Sequence, residues 1–446
     1  MFKWKAKAGI LIIAFLAIAL VTFRGSRAVP SFARQTNLPC TSCHSVFPEL
    51  NSFGRMFKMH GYTLSSDESI QAKDKKGRTS LDLPKASPVS GMIMSSFSHL
   101  SSPGSGNLNN NVNFPQEFSL FIATKLTPEI GAFAQVTYED AEGTFGLDLV
   151  DIRYAHQTTL RSRDLVVGLS LNNNPTIQDV WDTVPIWSFP FSSSPVTPEP
   201  IAAPLIDGGF DNQALGLGPY VFWNNHVYGE ISFYRSAPQG APNPPDAGSE
   251  MTISNTAPYW RLAFQHQKAN RYFEIGTYGM SANILPSGIS GQTDKYTDFA
   301  VDAQYEQKLS NAIISAHAFW IGENQKLKAT FADGGSDYET VKLNTVRVNG
   351  NFYPGQHLGF SLGYFATFGD TDSTLYSPVE IYGSREGKPD TNGLVAEFDF
   401  LPWLNTKLVL QYIMYSKFNG ASDNYDGFGR DASDNNTLYL STTLAL

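Results

Sequence analysis

The chain has 446 residues, of which 16% are charged, 13% aromatic and 42% hydrophobic. That is too little charge for a disordered chain and too many aromatics for a linker. A net charge of -9, from 32 basic against 41 acidic side chains, offers no basic face for releasing counterions from phosphates and argues against a nucleic-acid partner. Beyond its start the chain has no apolar run near the roughly 20 residues of a membrane-crossing helix, which excludes a polytopic helical protein.

The start is different in kind. Lys3, Lys5 and Lys7 precede an apolar stretch over residues 8–23, and Ser26-Arg27-Ala28 offers a small-x-small cleavage site. Residues 1–28 therefore predict a secretory signal peptide. Its removal takes away five basic residues and no acidic one, leaving 27 basic against 41 acidic. The expected product is exported and acidic.

Both cysteines fall in one string, Cys40-Thr41-Ser42-Cys43-His44, the C-x-x-C-H spacing of covalent haem attachment. Two thiols three positions apart on a short helical turn reach both vinyl groups of one porphyrin, and the adjacent histidine then ligates iron from one face. The pattern predicts one covalent haem c held by Cys40 and Cys43, with His44 as proximal ligand. A redox dithiol would follow a strand in a βαβ pattern, which is absent, and a structural disulfide has no use for His44. For the second axial position the nearby donors are Met56, Met59 and His60, then Met92, Met94 and His99. Met59 and Met92 are the candidates put forward, because a thioether ligand raises the potential relative to bis-histidine; the residues themselves leave the choice open. The remaining histidines are dispersed without zinc-ligand spacing.

Around the motif, Pro30-Ser-Phe-Ala-Arg-Gln-Thr-Asn-Leu-Pro-Cys40, Pro48-Glu-Leu50 and Phe53-Gly-Arg-x-Phe-Lys-x-x-Gly-Tyr62 resemble the amino-terminal signature of the Cyc2-type outer-membrane cytochromes. The segment from Asn172 to Trp181 with Pro185-Ile-Trp187-Ser-Phe-Pro190 resembles barrel relatives of the same wider family. The resemblance implies a monohaem cytochrome c fused to a porin-like barrel. It further implies extracellular Fe(II) as electron donor and a periplasmic carrier as acceptor.

From about residue 90 onward, segments of 8 to 15 residues carry apolar side chains on every second position, as tilted membrane strands do. Trp260, Leu262 and Phe264, for instance, alternate with Arg261, Ala263 and Gln265. Sixteen strands are predicted, near 91–100, 116–126, 130–139, 146–158, 164–172, 218–223, 226–235, 257–266, 271–280, 294–307, 311–322, 338–352, 357–369, 391–400, 406–418 and 436–446. Short links alternate with long ones at 101–115, 173–217, 236–256, 281–293, 323–337, 370–390 and 419–435. Short periplasmic turns and long external loops are the outer-membrane pattern. The expected fold is thus all-β, a sixteen-stranded antiparallel outer-membrane barrel over residues 90–446. A small, mostly helical haem segment at residues 29–85 plugs its periplasmic mouth, since sixteen strands leave a wide lumen.

Export, covalent haem and an insulating membrane point together to electron transfer from an extracellular donor, Fe(II) foremost, to periplasmic carriers, with iron(II) oxidation as the candidate enzymatic activity. The alternative is a porin-type transport barrel whose haem is structural or sensory. Acidic loop positions Asp370, Asp372 and Glu380, and Asp423, Asp426, Asp431 and Asp434, are read either as a means of concentrating cations or as ordinary solvated charge. Arg55 is weighed as a distal group for peroxidase chemistry, with no base to pair with it.

Overall fold

A computed structural model describes residues 30–64, 69–103, 109–139, 143–208, 210, 214–236, 252–286 and 291–446. The predicted signal peptide lies outside the described residues. Sixteen long strands are present in the expected order: β1 (Val89–Leu100), β2 (Asn111–Thr127), β3 (Ile130–Glu139), β4 (Thr144–Leu160), β5 (Arg163–Asn172), β6 (Ala214–Trp223), β7 (Val227–Ser236), β8 (Ala257–Lys268), β9 (Arg271–Leu285), β10 (Asp294–Lys308), β11 (Ala312–Lys326), β12 (Thr340–Pro354), β13 (Leu358–Gly369), β14 (Thr391–Trp403), β15 (Thr406–Lys417) and β16 (Thr437–Ala445). Each pairs antiparallel with its sequence neighbour, and β16 closes on β1 with Thr437 opposite Leu100 and Ala445 opposite Met92. Closure leaves no unpaired edge, the condition for strands to cross lipid.

The alternation has the sense of a membrane barrel. In β6 the buried positions Ala214, Gly216, Gly218, Tyr220 and Phe222 face the lumen, and Leu215, Leu217 and Val221 face outward. Outward residues such as Ile231, Leu262, Ile275 and Leu362 are exposed, whereas Glu230, Arg261, Glu274 and Asp302 point inward and are buried. A soluble sandwich would reverse this, so the belt is lipid-facing and the chain is an outer-membrane barrel. All seven connections at one end are turns of two or three residues, from 128–129 to 404–405; this is the periplasmic end.

The lumen is filled twice. The link over 173–217 was expected outside the cell, but its described residues 173–208 and 210 fold inward, with Ile177, Val180, Trp181 and Val184 fully buried. The reason is chemical: its apolar side chains pack on lumen tyrosines, Trp181 against Tyr228 and Val184 with Leu205 and Phe210 in a cluster with Tyr234, Tyr259 and Tyr278. Wall charges anchor it: Arg261 contacts Asp179 at 3.0 Å, Asp302 accepts from the Thr183 hydroxyl, and Glu323 accepts from the Leu205 amide at 2.7 Å. Such buried pairs fix a position more than they add stability.

The second filler is the amino-terminal segment, with helices α1 (Pro30–Thr36) and α2 (Ser52–Met59). It plugs the periplasmic mouth as expected. Its wall contacts are polar and buried: the Arg55 guanidinium meets Glu306 at 3.3 Å, Tyr353 donates to Glu49 at 2.9 Å, and Tyr62 donates to Asp151 at 2.7 Å. Between plug and barrel, Ser69–Lys73 and Thr79–Pro84 form a hairpin absent from the expected elements. Its alternation is only two residues deep on each strand.

Candidate haem site

Cys40–Ser42 forms a single 3-10 turn in which the Cys43 and His44 amides both donate to the Cys40 carbonyl, at 2.9 and 2.8 Å. The turn carries both thiols and the imidazole on one short arc. An isolated bridge between His44 and Leu50 then reverses the chain, and Asn51 caps α2 by accepting from the Phe53 and Gly54 amides at 2.9 and 3.1 Å. The cap is of the Asx type and starts the helix against the motif. At Gly54 a Cβ would sit 2.2 Å from the Cys43 carbonyl oxygen, so the glycine is what allows α2 to pack on the Cys40–Ser42 turn.

Cys40, Cys43 and His44 line one cavity of about 700 Å3, within the roughly 300–1,000 Å3 of cofactor sites. Its walls are largely apolar and aromatic, among them Phe32, Phe47, Phe53, Phe57, Phe121 and Phe191. Nδ1–H of His44 donates to the Pro48 carbonyl at 2.9 Å, which orients the ring and leaves Nε2 as the metal-ligating nitrogen. Burial holds this imidazole below its ordinary pKa, opposed by the bond to Pro48, so it stands neutral as a ligand must. Burial first, then the neighbouring Cys40, pushes the Cys43 thiol up to about 11. A redox-active dithiol needs the opposite shift. The turn, the free Nε2 and the apolar volume fit a covalently held haem.

Met92 and Met94, two apart on β1 and both turned to the lumen, line the same cavity. The Met94 sulfur accepts from the Tyr439 hydroxyl at 3.8 Å. Met59 is fully buried in a different cluster, with Trp181, Tyr220 and Tyr228, and is not among the lining residues. His60 bonds Gln157 at 2.8 Å. Arg55 also lies off the cavity, stacked 3.9 Å from the Tyr272 ring centroid. Its role is to pin the plug.

Several lining residues were missed in the sequence. Lys58 reaches the cavity from α2, its ammonium 2.7 Å from the Ile177 carbonyl and 4.4 Å from the Trp187 ring centroid. Trp187, Pro190 and Phe191 belong to the infolded link. Their aromatic, Pro-rich composition was the available signal. A second cavity of about 440 Å3 shares Glu117, Pro190, Phe191, Ser192 and Arg347 with the first and extends to Tyr415 near the long-loop end of β15. The acidic loop positions serve local structure. Asp372 accepts from the Asp337, Thr374 and Leu375 amides, Asp426 from those of Ile381 and Phe428, and Asp431 and Asp434 form a capping box.

No family model and no curated protein matches the sequence. Among solved structures, the anion-selective porin from Comamonas acidovorans has a TM-score of 0.47 at 10% identity, over 80% of this chain and 98% of its own. OmpF of Salmonella typhi has 0.46 at 12% identity, over 80% and 97%, and the outer membrane channel DcaP of Acinetobacter baumannii has 0.44 at 10% identity, over 84% and 99%. At these values the likeness is one of fold alone.

Proposed function

We propose that the protein is an outer-membrane electron-transfer cytochrome c that takes electrons from an extracellular donor, Fe(II) foremost, and passes them to a periplasmic carrier. The observation that carries this reading is the Cys40–Ser42 turn, which sets both thiols and His44, its Nδ1 held by the Pro48 carbonyl, along one largely apolar cavity inside the barrel. Cys40 and Cys43 would hold the haem as thioethers and His44 would ligate its iron, with Met92 as the further donor from the wall, its neighbour Met94 being engaged by Tyr439. When bound, the haem supplies one-electron iron chemistry. The chain's part is to hold that centre inside the barrel among phenylalanine side chains, next to a second cavity that extends toward the long-loop end.

A transport barrel is the second reading, favoured by the two adjoining cavities within the lumen. Expression with a cytochrome c maturation system separates the two. The first reading predicts one haem per chain that survives denaturing electrophoresis and is lost in the Cys40→Ser/Cys43→Ser double variant. An unstained product whose proteoliposomes swell in small sugars supports the second.

A further inference from the structure

Resting on the electron-transfer reading, we infer that the hairpin below the barrel mouth is a docking surface for a periplasmic partner, an acidic one-electron carrier protein. The register pairs Ile70 with Leu83 and Ala72 with Leu81, so these four side chains share one face of the hairpin. Ile70, Leu81 and Leu83 are 55%, 41% and 50% exposed. Soluble surfaces seldom leave three large aliphatics side by side on a short hairpin without a partner.

At the tip of this hairpin the charge is opposite to that of the chain. The tip reads Lys73-Asp74-Lys75-Lys76-Gly77-Arg78, and Lys75–Lys76 is the sole adjacent basic pair in a protein of net charge -9. Asp74 is occupied within the tip, accepting from the Lys76 and Arg78 amides at 2.8 and 2.9 Å and from the Arg78 guanidinium at 2.8 Å. Asp82, on the other face, pairs with Lys125 at 3.7 Å, and both are buried. The acids of the hairpin are therefore engaged and the three exposed lysines set its field. An apolar centre with a basic rim suits a small, transient complex in which charge steers encounter.

Position selects a soluble partner over lipid. Lys125 lies on the lumen side of β2 with Phe121 and Ala123, opposite to the outward Leu120, Ile122 and Leu126. The contact with Asp82 thus holds the hairpin under the mouth. The residues that bracket it, Leu64 before and Gly91 after, both line the haem cavity. A protein docked here stands beside the site from which it would be loaded.

The test uses the matured protein in nanodiscs, an acidic blue-copper protein as probe and a basic cytochrome c as control, with binding read by surface plasmon resonance. The acidic probe should bind, more weakly as salt rises, and the basic one should not. The Lys73→Glu/Lys75→Glu/Lys76→Glu variant should weaken binding about tenfold or more, the low end of what steering contributes. Leu81→Ser/Leu83→Ser should weaken it while keeping the salt dependence. Unchanged binding in both variants, or capture of anionic phospholipid vesicles in place of the copper protein, overturns the docking surface. Haem staining and chemical reducibility of the same preparations report separately: a product without reducible haem defeats the electron-transfer reading, whereas reducible haem with indifferent variants defeats the docking surface alone.

Discussion

Lys58 is the residue whose cost is most plainly written in the structure. It is buried in the plug with its ammonium on the Ile177 carbonyl and the Trp187 face, and burial, with help from Arg153 and against Asp151, Asp179 and Asp182, pushes its pKa down to about 7. Between about 7 and the ordinary value near 10.4 the unfolded chain keeps a proton that the folded one has released, so stability rises with pH across that window. Below about 7 both states are protonated and the penalty is constant. The melting temperature of the wild type should therefore climb relative to that of Lys58→Met between pH 7 and pH 10; a pH-independent difference would contradict the assignment. The distal ligand is also a matter of single residues. Met92→Ala should alter the haem spectrum and lower the potential, while Met59→Leu leaves both in place, and the reverse pattern would move the ligand to α2. The tight turn at C-x-x-C-H was legible from the spacing of its residues; the porphyrin it would hold belongs to the proposed function. Lys58 was not, because nothing in sequence tells a buried lysine from a solvated one.

At the scale of elements, plug and barrel touch by backbone. A Cβ on Gly131 would lie 2.1 Å from the Gly61 carbonyl oxygen and 3.0 Å from Cβ of Tyr62, so β3 passes the end of α2 with no room for a side chain. Gly131→Val should displace the plug at a cost of about 1–3 kcal/mol or more, as overpacking does. Limited proteolysis should then cut within residues 30–64 while the barrel keeps its heat-modifiable migration. An uncut plug would show that the contact is slack. The strands were legible to within a few residues because a two-sided environment, lipid and lumen, forces alternation at every one. The destination of the link over 173–217 was not. A polar lumen accepts the same Asn, Asp, Ser and Pro residues as an external loop, and only the apolar spacing of Ile177, Val180, Trp181 and Val184 marks the inward turn. Protease added to intact cells should therefore leave 173–208 uncut.

The whole molecule is a sixteen-stranded tube whose bore is occupied by its own chain. Wall, plug and infolded link meet at the cavity that Cys40, Cys43 and His44 line, and Pro190, Phe191 and Arg347 belong both to it and to the adjoining space toward the long loops. The proposed function draws on that arrangement. The order and number of strands could be read from sequence; the meeting of three distant segments, at residues 40–44, 92–94 and 185–192, could not, since it depends on how the lumen is filled. The most direct measurement is stopped-flow mixing of the matured, oxidised protein in proteoliposomes with Fe(II) on the extracellular face. The account predicts the absorption of reduced haem within seconds, slowed or abolished when His44 is replaced. Haem that stays oxidised in the presence of iron would contradict it.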